Sequence, residues 1–235
     1  YRERMMYMEY FQVQQIAKDT LKYAKEIIKP GMNLLELRDL CEKKMLELGA
    51  DSFWYWDVGA FIFAGDETTV SVSGTEYQTS DRIITENDIL TIDLSPQNGN
   101  IWGDYARTTI LENGIVVEND RISNEEWKNG LLMEDFLHQE LVDFVTPNTT
   151  FEELYYHINE IIQEKGFINL DFLGNLGHSI VKDKKDRVYT EKGNKLLLSS
   201  FDYFTFEPHI SIPDSKYGYK KENIYYFQDG KLAVL

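Results

Sequence analysis

Four acids lie inside otherwise apolar, strand-like runs: Asp93 in TIDLSP, Asp104 in WGDYART, Glu207 in FTFEPHI and Glu222 in YKKENIYYF. Charged side chains are ordinarily solvated or paired, so carboxylates in such runs point to chemistry. The dipeptide Asn98-Gly99 between the first two runs is a hairpin signal, because a type I′ turn needs positive φ at both central positions. A turn centred there sets Asp93 opposite Asp104, roughly 5 Å apart on one sheet face. A turn near Asp214-Ser215 likewise sets Glu207 opposite Glu222. Facing carboxylates repel unless a cation sits between them, and an oxygen-rich donor set suits hard or borderline divalent metals. Pro96 removes one ladder bond, so a bulge is expected beside Asp93.

Two histidines could complete a five-ligand site. His178 follows Asn175-Leu176-Gly177, where the glycine permits close backbone approach, and His209 stands two residues after Glu207 on the same strand face. Acidic neighbours raise the pKa of such an imidazole until a metal displaces its proton. His138 in FLHQEL and His157 in YYHINE fall on predicted helices and read as packing residues. Trp54, Trp56 and Trp102 either line a pocket beside the acids or pack into the core. Cys41 is the one cysteine, which excludes an internal disulfide and a thiolate cluster, so a metal here must sit on oxygen and nitrogen.

The elements that must position these residues follow from periodicity. Apolar side chains recur at helical spacing over residues 5–28, Pro30-Gly31 stops the run, and Asn33 with Glu36 caps a second helix to about Leu48. FWYW, FIF, TTVSVS, ILTIDL, YARTTIL and a short VVE run then read as strands. Ser123 with Glu126, and Thr150 with Glu153, open two more helices, and the strand-like runs LLLSS, YFTFEPHISI and NIYYFQ close the chain. The sequon-like Asn148-Thr149-Thr150 reads as part of a helix cap. Laying Pro30 on Pro147 aligns Glu36 with Glu153, Leu37 with Leu154, Cys41 with Ile158, Met45 with Ile162 and Gly49 with Gly166. A duplication into halves of about 1–118 and 119–235 follows, each a helix pair followed by strands. The expectation is an α+β fold of one domain with pseudo-twofold symmetry, helix pairs covering one side of a curved antiparallel sheet.

Composition narrows the function. With 40 acidic against 24 basic residues in 235 the formal charge is −16, so a nucleic-acid backbone is repelled. No run approaches the roughly 20 apolar residues of a membrane span, and YRERMMYMEYFQVQ lacks a signal-type apolar stretch. With its lone cysteine the chain is expected to be cytoplasmic, and a homodimer is compatible with the acidic surface.

At these residues the chain resembles the superfamily of methionine aminopeptidase, Xaa-Pro aminopeptidase and prolidase, whose catalytic domain is the pita-bread fold. The resemblance runs over nearly the whole chain and rests on Asp93, Asp104, the GHSI of His178, the FTFEP of Glu207 and the ENIYYFQDG that begins at Glu222. It implies two divalent ions (Mn, Co, Zn or Fe), with Asp104 and Glu222 touching both, Asp93 completing one site, and His178 with Glu207 completing the other. It implies a metal-bridging water as nucleophile, Glu207 as proton shuttle, and a small peptide or peptide N-terminus as substrate. DYARTT looks like the Xaa-Pro branch, where Arg107 fits and Ala106 replaces a threonine, while methionine aminopeptidase is the alternative. The resemblance also implies substrate-contacting histidines, where this chain has Thr75 and Lys185. His209 is then the expected substitute imidazole, Lys185 or Lys182 the substitute positive charge, and Trp102, Arg107 and Lys185 the expected substrate contacts. Without those histidines, a catalytically weak member that binds a peptide or protein partner is a further expectation.

Overall fold

The computed structural model describes residues 2–235, with side chains described from residue 9 onward, so the expected apolar spacing at residues 5–8 lies outside the described side chains. Two helices open the chain, α1 (Arg2–Ile27) and α2 (Leu34–Glu47). The strands β1 (Ser52–Phe53), β2 (Ala60–Ala64), β3 (Asp88–Leu94), β4 (Pro96–Asn98), β5 (Ile101–Trp102), β6 (Tyr105–Glu112) and β7 (Ile115–Val117) follow. The second half runs α3 (Glu125–Phe144), α4 (Phe151–Glu164), β8 (Ile168–Asn169), β9 (Ser179–Ile180), β10 (Tyr203–Phe206), β11 (His209–Ser211), β12 (Gly218–Gln228) and β13 (Lys231–Val234). Ten strands form one antiparallel sheet with the central order β2-β3-β6-β12-β10-β9, and β1, β4 and β5 make a small second sheet. The strands nearest the middle, β6 and β12, come one from each half, which is the pseudo-twofold pita-bread arrangement.

The caps explain where the helices start. Asn33 accepts from the Leu35 amide, and Thr150 and Glu153 form a reciprocal capping box at α4. At α3 the cap is Asn124 rather than Ser123, because the Glu112 carboxylate takes the Ser123 amide and hydroxyl and the Asn124 amide. The 117-residue offset seen between Pro30 and Pro147 also relates α2 to α4. Their buried faces, Leu34, Leu37, Cys41 and Met45 against Phe151, Leu154, Ile158 and Ile162, share one spacing.

Alternation along the strands divides the sheet into two faces. Leu90, Ile92 and Leu94 pack on the α1–α2 layer, and Phe204, Phe206, Tyr219 and Tyr225 on the α3–α4 layer. Asp93, Ala106, Glu222 and Glu207 therefore turn the other way. Three strand expectations give way. Of FWYW only Phe53 lies in a strand, and the chain turns beyond it, with Trp56 at φ 56°. TTVSVS leaves the sheet because residues Gly65–Thr69 form a 3-10 turn, with the Thr68 hydroxyl on the Gly65 carbonyl and on the Gly218 amide. LLLSS becomes the 3-10 turn Leu198–Ser200. Among the described residues no helix is long and apolar enough to cross a membrane.

Candidate metal centre

Strand register brings the acids together. Asp93 pairs with Ala106 across β3 and β6, and Ala106 pairs with Glu222 across β6 and β12. The β10–β12 register that pairs Phe206 with Asn223 places Glu207 beside Glu222 one step further on, as the turn near Asp214 implied. One row away lie Asp104, two residues before Ala106, and His178, whose carbonyl accepts from the Thr205 amide at 2.7 Å.

The first hairpin differs from the sequence expectation. Asp93 faces Ala106, not Asp104, because the turn is centred on Gly99 and Asn100; Gly99 has φ 60°, while Asn98 still belongs to β4. Glycine at the first central position suits a type II′ turn rather than the type I′ expected. The slip is two residues. An even slip keeps every side chain on its face, so Asp104 stays on the side of Asp93 as a diagonal neighbour.

Each ligand candidate is held by its surroundings. Asp104 sits where its strand bends between β5 and β6, and the Gln14 side chain closes that bend: Oε1 accepts from the Asp104 amide at 2.9 Å and Nε2 donates to its carbonyl at 2.7 Å. The spacing patterns carried no signal for Gln14, which acts across 90 residues. Gln14→Leu leaves both backbone groups without these partners; roughly 1–3 kcal/mol of stability should be lost. Metal affinity should fall about 10–100-fold, as when outer partners of a ligand are removed. Chemical denaturation and metal titration of the variant check both figures.

Gly177 has φ 145°, and a Cβ there would lie 2.2 Å from the Thr205 carbonyl oxygen, so only glycine lets the His178 segment pack this closely. The His178 Nδ1 lies 3.0 Å from the Ser179 carbonyl, and Nε2 is the nitrogen turned to the carboxylates, 3.3 Å from Asp104 Oδ2 and 4.0 Å from Glu207 Oε2. The Trp54 and Trp102 rings flank the imidazole at 5.7 and 5.8 Å between centroids.

Electrostatically the carboxylates outnumber the cations beside them. Burial pushes Asp93 above the usual carboxylate range, although Lys220 opposes it, and pushes Asp104 to about 6 against the His178 hydrogen bond. Burial together with the charges of Asp104, Glu207 and Asp93 raises Glu222 well above its ordinary value. For Glu207 burial also acts upward, but Lys220, the nearby His178 and Arg187 bring it down to about 2. Both Glu222 oxygens are buried with no donor within normal hydrogen-bond geometry, and one ligand atom each from Asp104, His178, Glu207 and Glu222 lie within 4.8 Å of one another. Orphaned buried carboxylate oxygens beside an imidazole nitrogen fit a divalent cation.

Asp93, Asp104, His178 and Glu207 line a cavity of about 420 Å³, while Glu222 is fully buried among them. His209 and Lys220 line it; His209 donates from Nε2 to the Thr68 carbonyl at 2.7 Å, and burial, helped by Lys220, lowers its pKa to about 4. The other expected substrate contacts lie elsewhere. Arg107 projects from the opposite face of β6, where it donates to the Glu222 carbonyl at 2.7 Å and the Asn223 side chain at 2.7 Å. Lys185 is 78% exposed on a 3-10 turn and pairs with Asp183, and Lys182 is exposed. Trp102 is buried behind Trp54, with its ring nitrogen on the Val181 carbonyl, and it is Trp54 that lines the cavity; Trp56 is 62% exposed. Thr75 is exposed and bonds Ser73, so the wall is made by Ser71 and Ser73 instead.

Arg187 is the cation that residue counting missed. It lines the cavity with its guanidinium 4.9 Å from the centroid of the Trp54 ring and 5.7 Å from those of Tyr55 and Tyr189. His138 and His157 stay outside the site. His138 bridges the Tyr225 hydroxyl and the Lys221 carbonyl, and His157 stacks on Phe144.

Residues 9–229 match the profile described as metallopeptidase family M24. No curated protein matches the chain significantly. Among solved structures, an X-Pro aminopeptidase from Thermotoga maritima superposes with a TM-score of 0.78 at 19% identity, over 95% of this chain and 58% of that one. A prolidase from Pyrococcus furiosus gives 0.78 at 22% identity, over 95% and 61%. A methionine aminopeptidase from Thermotoga maritima gives 0.74 at 14% identity, over 95% and 93%. The chain thus spans about three fifths of the length of the first two, and at these identities the likeness is one of fold.

Proposed function

The chain belongs to metallopeptidase family M24, and on that basis we propose that it is a divalent-metal-dependent peptidase that hydrolyses N-terminal peptide bonds of small peptides, nearest in substrate class to Xaa-Pro aminopeptidases and dipeptidases. The observation that carries this reading is the fully buried Glu222, both oxygens orphaned, within a four-residue donor cluster whose other three members, Asp104, His178 and Glu207, line an open cavity. One imidazole with carboxylates suits Mn²⁺, Fe²⁺, Co²⁺ or Zn²⁺, and five donor residues suffice in number for the pair of ions the resemblance implies. A bound ion of this kind lowers the pKa of water towards neutrality and polarises a peptide carbonyl.

The chain's own groups supply the rest. Glu207, held ionised by its neighbours, accepts a proton on the cavity side and returns it to the departing amine. Arg187, stacked among three rings, presents a fixed cation to the substrate carbonyl or carboxylate in place of the absent imidazoles. The single buried thiol of Cys41 supports a cytoplasmic setting, and the charge of −16 argues against nucleic-acid partners.

A panel of Met-, Leu- and Xaa-Pro peptides assayed with each of the four metals tests the proposal. Turnover should favour Xaa-Pro substrates, and Arg187→Met should lower kcat/KM roughly 10²-fold while leaving metal uptake unchanged. Preference for Met peptides would move the chain to the methionine aminopeptidase reading. The second reading, a catalytically weak partner-binding protein, is favoured by one feature: Thr75 and Lys185 stand where imidazoles are expected, and both point away from the cavity. Tight metal binding with no turnover on any peptide would select it.

A further inference from the structure

Lys220 places a fixed cation inside the carboxylate row. It precedes Glu222 by two residues on β12, so both side chains leave the same face. Its neighbour across the sheet is Thr108, whose short side chain is engaged with the Lys220 backbone at 2.9 and 3.2 Å and leaves the way over β6 open. The ammonium crosses that strand and reaches Asp93 Oδ2 at 2.6 Å, with about a fifth of each side chain exposed. Asp93 is also the one acid of the row left out of the compact donor cluster of Asp104, His178, Glu207 and Glu222.

We propose that the centre takes one divalent ion, on those four residues, and that the Lys220 ammonium occupies the place at Asp93 where a second ion would bind. The inference rests on reading the cluster as a metal centre and departs from the pair of ions the resemblance implies. A second cation at Asp93 must compete for Oδ2 with an ammonium that is tethered to the strand and so always at hand. It must also displace that ammonium against the pull of Glu207 and Glu222, or bear its repulsion at close range. A single ion on the remaining four ligands meets neither obstacle.

Ion counting decides it. Protein stripped with chelator, then titrated with Mn²⁺ and freed of excess metal, should carry one ion per chain by elemental analysis and show the six-line resonance of an isolated Mn²⁺ ion. Lys220→Met should carry two per chain, with the spin-coupled signal of a pair, and Asp93→Asn added to Lys220→Met should return the count to one. Lys220→Arg, which keeps the cation, should stay at one. Two tightly held ions in the unaltered chain would overturn the proposal, as would one ion in a folded Lys220→Met variant. No ion in the unaltered chain at any concentration would instead remove the metal-centre reading on which the inference stands.

Discussion

Glu222→Ala is expected to abolish metal uptake, and Glu222→Gln is expected to raise the melting temperature of chelator-stripped protein, two effects of opposite sign from one residue. Glu222 is fully buried, its oxygens find no donor, and Asp104, Glu207 and Asp93 all repel its charge. In such a place a carboxylate costs stability that only a cation repays. A glutamine of the same shape carries no charge and offers two N–H donors to the neighbouring carboxylates. The stripped variant should therefore gain roughly 1–3 kcal/mol, which for a chain of this size is about 2–4 °C per kcal/mol. Metal tells the other half. At 100 times its dissociation constant a ligand adds about 2.7 kcal/mol to the native state, and that metal-induced rise should be missing from Glu222→Ala. Calorimetry with and without metal, together with elemental analysis, reads both effects. An unchanged ion count in Glu222→Ala, or a lower melting temperature for stripped Glu222→Gln, would remove Glu222 from the centre.

The residues that were legible in the sequence are those set by periodicity. Glu207 lies in the break between β10 and β11, but the register that pairs Phe206 with Asn223 resumes with His209 opposite Lys220, so counting outwards from the turn places Glu207 and Glu222 beside each other. For Asp93 and Asp104 the sequence register is off by two, because Asn98-Gly99 reads as the turn centre whereas Gly99 is the first of its two central residues. The even slip spared the face assignment, and the donor set survived it. Loop residues behave differently. Lys185 stands where the resemblance implies a histidine, but a 3-10 turn swings it outwards while the aromatic rings of Trp54, Tyr55 and Tyr189 draw Arg187 in. No spacing rule contains that information, since the rings come from two segments more than a hundred residues apart. Arg107 failed for a simpler reason: it is an odd step from Ala106, and alternation alone sends it to the helix side of the sheet. Gln14 was invisible because a helix residue that binds a distant backbone leaves no local pattern.

Glu207→Gln separates holding the metal from moving the proton. The Glu207 amide donates to the Leu176 carbonyl at 2.8 Å, which places the side chain beside His178 and at the cavity wall, and its carboxylate is kept ionised with a pKa of about 2. Glutamine preserves the size and one ligand oxygen but neither accepts a proton nor returns it. The ion count should therefore stay as in the unaltered chain. For whichever peptide the panel shows to be turned over, kcat should fall roughly 10²–10⁴-fold, with KM changed only a few-fold. Glu207→Ala, which removes the oxygen as well, should lose metal affinity in addition. The contrast between the two variants carries the argument: a residue that only positions the ion would show equal damage in both, tracking ion loss. A fall in kcat below threefold for Glu207→Gln at full metal loading would assign the proton transfer to another group on the cavity wall, and His209, neutral and two residues away on the same face, is the one whose substitution should be measured next.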